Sequence, residues 1–266
     1  MNNKLITKIA EQSVKTIYFY QQLFRIVFII LVVAIDIVVV HQLLTVGNST
    51  LTTVLALILV FVVACIVVYH NIFTAAIDDI LVNQIDIKKY LEFRVYVESK
   101  SNKKSKKITR NLLVFSEGVA AYYQGDFEKS LNYLQRSDWR MVSIPDREKM
   151  RMNIAYFSGL VRLESNKGDE VDYFQTIGVS KKSKEYKVYK NMISAIQNIY
   201  RGNVDDFFED FIPTNRLSLI MKYYFLALNY VNQDNVNTAK TYFQEIVNEN
   251  PELFYVREAK KYLEEN

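Results

Sequence analysis

Two long apolar runs, Ile26 to Leu44 and Leu51 to Phe73, occupy the first third of the chain, and nothing of comparable length follows. A bilayer core of about 30 Å requires roughly 20 apolar residues at about 1.5 Å of helix rise each, so each run is long enough to cross once. The turn between them holds Gly47 and Asn48, good residues for a tight reversal, and contains no Lys or Arg. Lys4, Lys8, Lys15 and Arg25 precede the first run, and a larger basic set beginning at Lys88 follows the second. The positive-inside rule therefore places both ends in the cytoplasm. Tyr18, Phe19, Tyr20 and Tyr69 fall where an aromatic belt at that same face belongs. Two competing readings are a buried helix of a soluble protein and a cleaved secretory signal. The first run exceeds the usual signal core of about 7 to 15 residues and no small-x-small site follows it, so the pattern predicts an uncleaved membrane hairpin.

After the second run a helical stripe continues through Ile77, Ile80, Leu81, Ile85 and Leu91, beside Asp78, Asp79, Asp86 and Lys88. Leu91 to Val97 alternates, which fits helix or strand. Glu98 to Lys107 is polar and carries no core residue, so it reads as a linker. The pattern thus divides the chain into a hairpin with cytoplasmic flanks over 1–97, a basic linker over 98–110 and a helical domain over 111–266. Within that domain, short polar breaks begin at Gly125, Gly168, Gly202 and Asp234, spaced 43, 34 and 32 residues apart. A period near 34 residues in an all-helical pattern marks helix-turn-helix repeats that stack into a solenoid.

The stretch from Tyr223 to Pro251 resembles the tetratricopeptide repeat (TPR). Tyr223 stands at a large aromatic position, Leu226-Ala227 at the Leu-Gly position and Tyr230 at the next aromatic. Ala239 takes the small packing position of the second helix, Phe243 its aromatic and Pro251 the terminating proline. A second copy, Phe115 to Asp138, matches at Gly118, Gly125, Phe127 and Leu134 and departs at Ser130 and Glu117. The units around Gly168 and Gly202 keep only the turn and the apolar spacing, and Phe207 stands where a small residue belongs. The resemblance covers about Asn111 to Asn266, and with the apolar runs it implies an all-α chain: a two-helix transmembrane hairpin, then a cytoplasmic TPR-like α-solenoid of about four degenerate helix pairs. Glu252 to Glu264 would be its C-terminal capping helix, covering Tyr242, Phe243 and Ile246.

Composition narrows the chemistry. The formal net charge is +4, concentrated between Lys88 and Arg110 without the aromatic interleaving of a nucleic-acid groove, so no nucleic-acid partner is expected. The single cysteine, Cys65, lies in the second apolar run. The two histidines, His41 and His70, lie at opposite ends of the hairpin and the helical domain has none, which leaves no triad and no His or Cys zinc site. Neither GxGxxG nor a P-loop occurs. Acidic pairs such as Asp169-Glu170 and Asp205-Asp206 sit at turns, where carboxylates favour helix N-termini. The expectation is a chain without enzymatic activity, cofactor or metal.

Three surfaces remain. The first helices of the repeats project Phe115, Val119, Tyr122, Tyr123, Met192, Ile196, Tyr200, Met221, Tyr224 and Leu228, either into a peptide groove or against neighbouring helices. Lys100, Lys103, Lys104, Lys106, Lys107 and Arg110 either grip anionic lipid or only fix topology. Asp36 stands near the middle of the first run, where an ionised carboxylate costs about 3 kcal/mol, and the depth-matched stretch Leu55 to Val63 offers no polar side chain. Its partner is then a second copy or another membrane protein, or it is tolerated as a neutral acid. These features point to a membrane-tethered adaptor that binds a protein or peptide at the inner membrane face. Two alternatives stay open: a non-enzymatic transport or bacteriocin-immunity-type component acting through the hairpin, and a membrane-anchored enzyme, which would require an active site that the sequence does not display.

Overall fold

The computed structural model describes residues 3–45, 49–166 and 172–266, and these are all-helical, with no strand. Contacts divide the chain into two compact units, Met1–Leu81 and Val82–Asn266. The reversal at Gly47 and Asn48 and the turn at Gly168 lie outside the described residues.

The first unit comprises α1 (Asn3–Ala10), α2 (Val14–Thr45) and α3 (Ser49–Val82, ending at the unit boundary). With 32 and 34 residues at about 1.5 Å each, α2 and α3 exceed the roughly 30 Å of a bilayer core. Both are long and apolar enough to cross a membrane, and only 6% of the most apolar stretch of each is buried. A core helix of a soluble protein would bury most of such a stretch. An aromatic seam joins the two helices at one end: the Tyr69 hydroxyl donates to the Tyr20 carbonyl at 3.0 Å, and its ring lies 4.7 Å from Phe24 and 5.9 Å from Phe28.

The second unit opens with α4 (Ile87–Lys100), packed on α5 (Lys103–Tyr123). The stripe expected to run on as one helix is broken at 83–86, where Ile85 adopts a φ of 57°. That conformation is unusual for a β-branched residue, and it is held by full burial of Ile85 and by Asn250 Nδ2, which donates to its carbonyl at 2.7 Å. Asp86 then caps α4, accepting from Lys89 N at 2.8 Å. The segment Leu91 to Val97 is helical because Ile87, Tyr90 and Phe93, three residues apart, share the buried face.

The stretch 98–110 is not an extended linker. It is helix on both sides of a break at Ser101 and Asn102, with Asn102 capping α5 through Ser105 N at 3.0 Å. Lysine is a good helix former, so a polar run without a core residue becomes a solvated helix face.

Then follow α6 (Phe127–Arg136), 3₁₀ turns at Trp139–Met141 and Ile144–Asp146, and α7 (Arg147–Asn166). The two turns separate α6 from α7. Buried Asn111 fixes them, donating to the Asp138 carbonyl at 3.0 Å and accepting from its N–H at 2.8 Å. The chain continues through α8 (Tyr173–Ile177), α9 (Lys184–Tyr200), α10 (Phe207–Asp210), α11 (Arg216–Asn232), α12 (Val236–Ile246) and α13 (Phe254–Glu265).

Three of the anticipated breaks share one construction. Gly125, Gly202 and Asp234 take left-handed φ values of 76°, 81° and 56° after α5, α9 and α11. Asp126 and Asn235 then cap α6 and α12. At Gly125 an added Cβ would also meet Phe254 and Arg257 at 3.0 Å, so both space and φ require glycine.

The long pairs α5–α6 and α11–α12 pack closely, whereas α8 and α10 have only five and four residues. In α10, Phe208 stacks on Phe225 at 5.0 Å. Pro213 follows shortly after, where a helix cannot continue freely.

The last helix does more than cover α12. Phe243 lies 4.7 Å from Tyr262 of α13, but Tyr242 stacks instead on Tyr230 at 5.6 Å. At its other end α13 reaches α5: Tyr255 Oη lies 2.7 Å from Tyr122 Oη, and Arg257 Nη2 donates to the Gln124 carbonyl at 2.7 Å. The C-terminal helix therefore ties the first long pair to the last.

Candidate functional site

None of the ten groove candidates is exposed. Val119, Tyr122, Met192, Ile196, Met221 and Tyr224 are buried, and Phe115, Tyr123, Tyr200 and Leu228 are half-buried. Part of the expected groove is filled by α13, whose Phe254 and Tyr255 rings lie 5.6 Å from Tyr122 and 5.0 Å from Tyr224, respectively. The expected open concave face is therefore an interior. Apolar and aromatic side chains from α5, α11 and α13 gain more by burying one another than by facing water.

That interior contains a polar network. The Tyr200 hydroxyl donates to the buried carboxylate of Glu164, and the Tyr122 and Tyr255 hydroxyls share a hydrogen bond. Burial, reinforced by the nearby Glu164 charge, holds the hydroxyl pKa values of Tyr122, Tyr200, Tyr224 and Tyr255 well above 10.0.

Three candidates do meet at an opening. Tyr123 of α5, Met192 of α9 and Met221 of α11 line a cleft of 320 Å³, together with Asn153, Tyr156 and Phe157 of α7 and Val188 and Tyr189 of α9. Phe211, Thr214, Asn215 and Ser218 close its far side. Tyr156 and Tyr189 stack at 4.3 Å, and Tyr156 Oη donates to Met192 Sδ at 3.0 Å. Burial pushes the hydroxyl pKa values of Tyr123 and Tyr156 upward, with neighbouring tyrosines adding to the shift, so the cleft presents neutral phenols. Among the described residues, no charged side chain lines it. Such a surface offers π faces, polarisable sulfur and a few amide and hydroxyl groups, the means of holding an uncharged apolar segment.

Sequence reasoning missed the α7 and α9 contribution of Asn153, Tyr156, Phe157 and Tyr189. For Tyr156 and Phe157 a signal was present: Phe157 lies in a stripe with Ile154 and Val161, and Tyr156 in a second with Leu160, on a helix that supplied none of the groove candidates.

Elsewhere, Lys100, Lys103, Lys104, Lys106, Lys107 and Arg110 are all exposed, Lys100 at the end of α4 and the others on α5. Asp36 is exposed on α2, and no hydrogen bond or ion pair reaches it among the described residues. The hairpin thus supplies no described partner for its carboxyl.

No protein-family model, no curated protein and no solved structure matches the chain. The repeat resemblance accordingly rests on the residues themselves.

Proposed function

We propose that the chain is a membrane-tethered adaptor: α2 and α3 cross the membrane with both ends cytoplasmic, and the helical unit is a degenerate TPR-like domain that holds a partner protein segment. The repeat reading draws on the α5–α6 and α11–α12 pairs. Ala239 is fully buried at the small position, and Ser130 takes that position in the first pair, donating to the Gly118 carbonyl at 2.7 Å. An added Cβ on Gly118 would approach Leu134 at 3.1 Å, the close helix approach that a small residue permits. The single observation that carries the binding role is the uncharged Tyr, Phe and Met cleft. Tethering confines that cleft to the membrane plane and raises its effective concentration for partners already there.

The test uses two exposed cleft residues whose replacement leaves the core untouched, Val188 and Thr214. Affinity capture with the full chain in detergent is expected to yield a partner that Val188→Glu and Thr214→Glu both lose, with unchanged helicity. Capture unaffected by either charge would remove the cleft from the account.

A further inference from the structure

The hairpin carries a second cleft, 490 Å³ in volume, formed by α2 and α3 at the end where the aromatic seam joins them. Its size lies within the roughly 300 to 1,000 Å³ range of small-molecule sites. Gln21, Gln22, Arg25 and His70 line it on the polar side. Phe28, Ile29, Ile66 and Phe73 form its apolar walls. The Tyr69 to Tyr20 hydrogen bond joins the two helices at this end, and His70 and Gln21 line the same cleft there, beside the residues just before the first apolar run. Among the described residues, no carboxylate lines the cleft, so its cationic and amide donors face an occupant without local competition.

An amphiphile with an anionic head and an apolar tail matches that division. We infer that this cleft binds an anionic phospholipid, its phosphate held by Arg25 with His70 and the two glutamine amides, its acyl chain lying along Phe28, Ile29 and Ile66. Arginine suits the role because its planar guanidinium grips two phosphate oxygens at once. Glutamine amides add neutral donors of fixed direction. A basic pocket between spanning helices at the cytoplasmic rim is a physically sensible place for an anionic headgroup. The inference goes beyond the adaptor role. It rests on the hairpin lying in a membrane and is independent of the cleft in the helical unit.

The experiment offers the full chain, purified in mild detergent, equimolar phosphatidylglycerol and phosphatidylcholine, and reads retained lipid by native mass spectrometry. Wild type is expected to retain phosphatidylglycerol about fivefold or more over phosphatidylcholine, the scale of one basic contact with an anionic lipid. Arg25→Gln with His70→Gln should bring the two lipids to equal retention. Both side chains are exposed, so this variant keeps the helices intact. Lys4→Gln with Lys8→Gln, which changes charge on the same unit away from the cleft, should keep the preference. Equal retention in wild type, or an equal loss in both double variants, would overturn the proposal in favour of diffuse attraction. Complete displacement of phosphatidylglycerol by millimolar inorganic phosphate would also overturn it, because the site would then read free phosphate rather than lipid. Lipid preference surviving in Val188→Glu while partner capture fails would separate this site from the adaptor cleft.

Discussion

Leu57, Val60 and Phe61 of the hairpin are 65%, 67% and 69% exposed, while Phe208, Phe225 and Phe243 of the helical unit are exposed by 1% or less. The residue types are alike and the solutions opposite. The hairpin touches itself along a seam of Tyr69, Phe24 and Phe28 and leaves most of the most apolar stretch of each long helix exposed to its surroundings. In lipid such exposure costs nothing, and helix association there depends on packing and polar contacts rather than on apolar burial. The helical unit must make its own interior, and it does so with interlocked aromatic rings braced by buried asparagines such as Asn111 and Asn229.

Alkaline pH should break this contrast most severely. Tyr122, Tyr156, Tyr200, Tyr224 and Tyr255 all hold hydroxyl pKa values raised above 10.0, chiefly by burial. The folded state therefore keeps protons that the unfolded state releases. Its stability is intact below about pH 10 and falls as pH rises beyond it. Circular dichroism with tyrosinate absorbance should show residues 82–266 unfolding together with the ionisation of these tyrosines, while α2 and α3 stay helical in lipid. Tyrosines ionising at the ordinary pH without loss of helix would contradict the buried network.

A single core residue should come next. Tyr255→Ala removes the ring that joins α13 to α5 and α11, and it should cost about 3 to 5 kcal/mol in urea unfolding of residues 82–266. Tyr255→Phe keeps the ring and should cost only about 1 kcal/mol. Val60→Ala in the exposed face of α3 should change little by comparison, within about 0.5 kcal/mol.

Asp36 sharpens the comparison from the membrane side. Asp36→Leu should insert more favourably by about 2 to 3 kcal/mol while weakening any association that the carboxyl supports. Crosslinking in native membranes should show the assembled species reduced in Asp36→Leu and largely retained in Asp36→Asn, which still hydrogen-bonds. Identical species in all three would leave the carboxyl without a structural role. The smallest effect is expected at the start of α5, where Lys103 opposes the positive end of the helix dipole. Lys103→Glu should raise domain stability by about 0.5 kcal/mol at low salt, an increment that added salt abolishes.

Local chemistry made the helices, the long apolar pair and three of the turns readable, because apolar period, left-handed Gly125 and Gly202, and capping Asp126 and Asn235 are signals carried within a few residues. What escaped reading was tertiary. The break at Ile85 depends on Asn250, 165 residues away, and the filling of the expected groove depends on Tyr255 meeting Tyr122, 133 residues away. A helical stripe records that a residue is buried and not what buries it, so groove lining and core looked the same. The basic run at 98–110 misled for the converse reason: absence of core residues marks exposure, and an exposed helix meets that condition as well as a linker does.

Thiol labelling in intact cells tests the central claim, a hairpin that crosses the membrane with the helical unit inside. In a Cys65→Ser background, cysteine is placed at Thr50, beside the reversal, or at exposed Lys104 on α5. An impermeant maleimide should label Thr50→Cys in intact cells and Lys104→Cys only after permeabilisation. Labelling of Lys104→Cys in intact cells, or protection of Thr50→Cys until the membrane is opened, would contradict the account.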